Sequence, residues 1–164
     1  MTPKNIKIVI AVLVLIILGV LTYFSLTKKP TEILPTSVQY KNTEYGFTFD
    51  LPQSWTGYSV IVEKWEGNYL DNSTKTEGPK ISIRHPAWTA QIPRQDIPVM
   101  VFSIAEWNSI LEEKLSVGAA PIGPSELGRN SKYVFALPAR YNFAFPVGFE
   151  EVETVLQQKP LKAF

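Results

Sequence analysis

EYGFTFDLPQSW, from Glu44 to Trp55, sets a large apolar side chain at every second position from Tyr45 to Leu51 and then stops on a proline and a tryptophan. Successive side chains of an extended strand point to opposite faces, so Tyr45, Phe47, Phe49 and Leu51 share one face and Gly46, Thr48 and Asp50 the other. The stretch therefore reads as an early strand with one buried face. Pro52 has no N–H to offer a ladder and ends it. Trp55 is expected to close over the core beyond the turn.

Strand-like patterning recurs on both sides of this stretch. Residues 38–42 read as a first short strand, Tyr58–Trp65 as a strand with Val60 and Val62 inward, and Lys80–Pro86 as a strand with Ile81 and Ile83 inward. Residues 66–79 are polar and read as a hairpin or loop. After the proline-punctuated HPAWTAQIPRQDIP, the continuous apolar run VMVFSI has the character of a central strand. The spacing predicts a helix over 105–116. Ser103 and Glu106 supply a capping box, Trp107, Ile110, Leu111 and either Lys114 or Leu115 a stripe, and Gly118 a stop. AAPIGPSELG reads as loop and SKYVFALPARYNFAF as one or two strands. A second helix spans Phe149–Gln158, with Glu150 and Glu151 at its positive end and Pro160 beyond it. Strands, helix, strands, helix is the order of an α+β fold, an antiparallel sheet flanked by helices, rather than of alternating βαβ units.

The N-terminus is of a different kind. Residues 8–26, IVIAVLVLIILGVLTYFSL, run nineteen positions without a charge, enough for a helix to cross about 30 Å of hydrocarbon. The run exceeds the core of an ordinary signal peptide, and no A-x-A cleavage pattern follows it. An uncleaved transmembrane anchor is therefore expected. It follows a short basic segment, 1–7, that keeps to the cytoplasm. Residues 27–37 are then a linker, and 38–164 an extracytoplasmic domain of a single-pass cell-membrane protein. A pilin-like subunit would begin similarly but with an early glutamate, and residues 8–26 contain no acid.

From Val38 onward twelve Lys or Arg face fourteen Asp or Glu. This slight acidic excess lacks the clustered basic face that nucleic acid needs. Without a cysteine there is no disulfide, thiol chemistry or lipoprotein attachment.

An apolar residue, Gly, an aromatic, a spacer, an aromatic, then a proline with tryptophan three positions on is carried here by Tyr45, Gly46, Phe47, Phe49, Pro52 and Trp55. The pattern resembles the start of PsbP-like domains, and GFEEVETVLQQ followed by PLKAF looks like the family's ending, a helix leading into a last short strand. The resemblance implies an antiparallel sheet with flanking helices in a secreted or membrane-anchored bacterial protein. It carries over no catalytic residue and no ligand.

His85 is the sole histidine, so a zinc site would need carboxylates to complete it; no metal and no cofactor is expected. Neither a GxSxG elbow nor a phosphate-binding loop is present. Glu112–Glu113 and Glu150–Glu151 are adjacent on their helices and diverge, which reads as solvated faces. The sharpest candidate is the cluster Arg84, His85, Trp88, Arg94 and Asp96, joined by Arg140. Guanidinium forks beside an indole face can take an anionic group, a carbohydrate or a partner loop. The plainer reading is that Arg94 and Asp96 pair to brace the loop while Trp88 plugs a sheet edge. Trp65 and Tyr69 flank a polar loop, buried or exposed. The function expected is binding, as a non-catalytic subunit or assembly factor with a protein partner in an envelope complex. The alternative is a tethered hydrolase using His85 and Asp96.

Overall fold

The computed structural model describes residues 37–71, 73–118 and 122–164. The expected anchor and residues 27–36 of the linker lie outside the described residues. Among the described residues no helix is long and apolar enough to cross a membrane. Residues 35–164 form a unit of their own.

Nine strands and two helices follow in order. They are β1 (Ser37–Asn42), β2 (Phe47–Pro52), a 3-10 turn (Gln53–Trp55), β3 (Ser59–Tyr69), β4 (Lys75–Arg84), β5 (Ile97–Ser103), α1 (Ile104–Leu111), β6 (Leu115–Val117), β7 (Ser125–Arg129), β8 (Tyr133–Leu137), α2 (Phe149–Gln157) and β9 (Leu161–Ala163). The fold is α+β, every paired strand running antiparallel to its neighbour, but the strands form two sheets where one was expected. The small sheet has the order β1-β2-β9 and the large one β6-β3-β4-β5-β8-β7.

The small sheet turns its alternating face onto the large one. Phe47, Phe49, Leu51 and Trp55 meet Ile81, Ile83, Ile97, Val99 and Phe135, with Val152 and Val155 of α2 and Leu161 of β9 closing the layer. Each such side chain, fully withdrawn from water, contributes about 1.5–3 kcal/mol before the entropy of ordering is subtracted. A second cluster lies on the other face of the large sheet, where Trp107 of α1 covers Trp65, Met100, Phe102, Val134 and Ala136. β5 thus feeds both layers, with Ile97, Val99 and Val101 in one and Met100 and Phe102 in the other. Its continuous apolar run has that cause.

Several boundaries differ from the sequence reading. The capping box forms, Glu106 N–H donating to Ser103 Oγ at 3.2 Å and Ser103 N–H to Glu106 Oε2 at 2.8 Å. The helix ends at Leu111, however, not at 116. Glu113 turns left-handed at φ 56°, and Leu115–Val117 leaves to pair with Gly67–Tyr69. Residues 66–79 are no loop, since β3 and β4 stay paired out to Asn68 and Lys75. Their polar side chains occupy the wet face of the ribbon, where Lys64 pairs with Glu77, and Trp65 is buried beneath. Val60 and Val62 share the core-side face with Ile83 and Ile81, their partners in register, yet remain exposed because β3 there borders no further strand among the described residues. Ser125–Arg129 is a strand where loop was expected. Residues 138–148 are turns and not a second strand.

Candidate functional site

Two connections emerge at the same end of the large sheet, residues 85–96 between β4 and β5 and residues 138–148 between β8 and α2. A single parallel bridge joins Arg94 to Val147, and Gln95 N–H donates to the Val147 carbonyl at 2.9 Å. The Gln95 side chain ties the two further, its Nε2 donating to the carbonyls of Asp96 at 2.7 Å and Tyr141 at 3.3 Å.

Neighbouring residues at the end of β4 point to opposite faces, so Arg84 and His85 enter different surroundings. Arg84 grips Asp96 through Nε, 3.1 Å from both carboxylate oxygens, and through Nη2 at 2.7 Å from Oδ2. Its guanidinium carbon lies 3.9 Å from the Trp88 ring centroid. The hydrogen bonds that Arg84 donates to Asp96 hold its guanidinium above even its ordinary pKa. This is the two-pronged, stacked geometry that arginine forms and lysine cannot.

His85 is buried on the other face, its ring edge-on to Trp55 with centroids 5.0 Å apart. Its Nδ1 accepts from Ala87 N–H at 3.0 Å, which places the neutral ring's proton on Nε2. Nε2 stands 3.9 Å from Glu151 Oε2, beyond hydrogen-bond reach. Burial, and after it the Arg94 charge, hold the imidazole below its ordinary pKa against the opposing pull of Glu151. At neutral pH it is therefore uncharged.

Glu151, in the first turn of α2, is the hub of this second cluster. Oε1 accepts from Ser54 Oγ at 2.7 Å and from Trp55 Nε1 at 3.2 Å, while Oε2 accepts from Arg94 Nη2 at 3.2 Å. Arg94 runs beneath the backbone of Gly148, where a Cβ would stand 2.8 Å from Nη2. A residue at φ 83° with no room for a side chain is a position for glycine.

The six residues singled out in the sequence thus divide. Arg84, Trp88 and Asp96 form one group; His85 and Arg94 form another, around Glu151. Arg140 is exposed in a left-handed turn at φ 54° and its side chain pairs with none of the other five. The loop is braced, but the pairing foreseen between Arg94 and Asp96 is replaced by Arg84–Asp96 and Arg94–Glu151. His85 and Asp96 share no hydrogen bond or ion pair, because Asp96 is committed to Arg84 on the opposite face. The Ser54 hydroxyl bonds directly to Glu151, with no imidazole between them as an acid–base relay would require. Among the described residues no three His, Asp or Glu side chains gather closely enough to hold a metal ion.

Sequence reasoning missed Glu151, Ser54 and Gln95. Glu151 was expected on a solvated helix face, its acid at a helix start being equally explained by the helix dipole, but it is half-buried and bonded to Ser54, Trp55 and Arg94.

This end of the domain presents several large apolar side chains to solvent beside the exposed Arg140. Ile92, Phe143, Phe145 and Val147 are 60, 73, 67 and 52% exposed. At the opposite end of β3, Leu70, Leu111 and Ile122 rim a concavity of about 530 Å³ that Trp107 also lines. Compared with family models, with curated proteins and with solved structures, the chain matches none.

Proposed function

We infer that the chain is a membrane-anchored extracytoplasmic domain that works by binding, as a non-catalytic subunit or assembly factor of an envelope complex with a protein partner. The observation that carries this reading is the division of labour at the loop end. Arg84, Asp96, Arg94 and Glu151 are consumed in internal pairs, and beside the exposed Arg140 the end turns the large apolar side chains Ile92, Phe143, Phe145 and Val147 to solvent. A catalytic centre keeps polar groups free for substrate; a surface that meets a partner or lipid has no such need. The uncharged stretch 8–26 supports the anchor and its single-pass placement. A PsbP-like identity for the domain rests on Tyr45, Gly46, Phe47, Phe49, Pro52 and Trp55, and on GFEEVETVLQQ followed by PLKAF.

Crosslinking of the full chain in its native membrane, followed by identification of the adducts, tests the reading. A recurrent protein adduct is expected. Turnover of an ester, peptide or glycoside that disappears in His85→Ala would overturn it in favour of a tethered hydrolase.

A further inference from the structure

The segment Tyr141–Phe149, YNFAFPVGF, has no charged residue and carries three of the large apolar side chains that the domain leaves in water, Phe143, Phe145 and Val147. Nothing in it is slack. Phe143 N–H donates to the Arg140 carbonyl at 3.0 Å, Phe145 N–H to Asn142 at 2.9 Å and Phe149 N–H to Pro146 at 3.1 Å. The Asn142 side chain is fixed to Glu153 of α2 at 2.7 Å. Phe145 itself is held at φ 45°, a conformation that a bulky side chain rarely adopts, while its ring stacks edge-on against Phe149 with centroids 5.2 Å apart. A strained backbone that turns phenylalanines outward is a feature to be explained by what they contact.

The path of the chain says what lies nearby. Ser37, the first described residue, is paired with Pro52, and the turn that follows Pro52 is bonded through Ser54 and Trp55 to Glu151, directly after the aromatic segment. The polypeptide thus enters the domain at the same end that carries the exposed phenylalanines. Residues 27–36 separate Ser37 from the apolar stretch 8–26, and ten residues reach at most about 35 Å.

We propose that Phe143, Phe145 and Val147 form a membrane-seating tip, inserted into the interfacial layer of the bilayer that holds the anchor. The occupant is lipid, because aromatic and aliphatic side chains on a charge-free loop partition into that layer, and the chain enters the domain from the anchor side at this same end. The proposal rests on the anchor reading above.

The absence of cysteine makes the test direct. Full-length Phe143→Cys, Phe145→Cys and Leu111→Cys, each labelled with an environment-sensitive nitrobenzoxadiazole dye, are reconstituted in phosphatidylcholine vesicles containing a doxyl-quencher lipid. Blue-shifted emission is expected at 143 and 145, with quenching several-fold stronger than at 111. If the chain floats with the vesicles but the labels at 143 and 145 are quenched no more than that at 111, the tip proposal is overturned while the anchor reading stands, and the segment belongs to a protein contact instead. A chain that does not float with the vesicles overturns both.

Discussion

Glu151 is the residue on which the loop end depends. Its carboxylate joins the turn after β2, the connection before β5 and the first turn of α2, and its loss strands a largely buried guanidinium that already has an unpartnered Nε. Leaving such a donor unsatisfied costs about 1–3 kcal/mol. Glu151→Ala should therefore lower the urea midpoint by a corresponding amount, and a variant that unfolds like the parent would show that the hub carries no stability. His85 supplies a pH dependence. Its folded-state pKa lies below the unfolded value of about 6.5, so the unfolded chain takes up the proton first. The stabilising effect of the neutral ring is complete above that value and declines as pH falls through it toward the folded pKa. Urea midpoints measured from pH 8 to pH 5 should fall on the acid side, and His85→Gln should flatten that part of the curve. Asp50 and Glu126, lowered chiefly by hydrogen bonds from Gln39 and Arg129, lose their contributions only further into acid and leave this window to His85. Arg84, His85, Trp88, Arg94 and Asp96 were legible as a cluster because they lie within thirteen positions of one another. Glu151 was not, since it stands 57 residues from Arg94 and nothing local distinguishes it from Glu150.

Among the elements, the β3–β4 hairpin shows most plainly why local patterning misleads. EGNYLDNSTKTEGP looks like loop because its residues are polar and two are glycine, yet ten residues of β3 pair with β4 in unbroken register. Gly78 is the reason. It stands opposite Trp65, whose indole fills the space a side chain would take and donates from Nε1 to the Val101 carbonyl at 2.8 Å. A Cβ at Gly78 would stand 2.6 Å from three indole atoms, so Gly78→Ala must displace Trp65 and its buried hydrogen bond. We expect a loss of about 1–3 kcal/mol, typical of overpacking, together with a changed near-ultraviolet tryptophan signal. Parental stability and spectrum would show that the ring moves aside without cost. The same physics explains the shortened helix. The apolar stripe through Leu115 fits a helix and a strand equally well at three residues' length, and pairing with Gly67–Tyr69 decides for the strand.

At the scale of the whole molecule, residues 35–164 form a unit of their own, and among the described residues both core clusters lie within it. Residues 35–164 expressed alone should therefore fold and unfold in a single transition, with tryptophan fluorescence and far-ultraviolet circular dichroism superimposing against urea. Separate transitions would mean that the two clusters, which share β5 and β8, are not one cooperative unit. By itself the sequence determined the α+β class, the buried faces of β2 and β5, the capping box and the core position of Trp107, because each follows from periodicity or from bonds spanning a few residues. Tertiary structure alone decided that the strands divide into two sheets. It also decided that Arg84 and His85 part to opposite faces, and that Arg84, Arg94 and Asp96 pair inward while Phe143 and Phe145 turn out. These outcomes depend on contacts between residues tens of positions apart, whose energies no local pattern records.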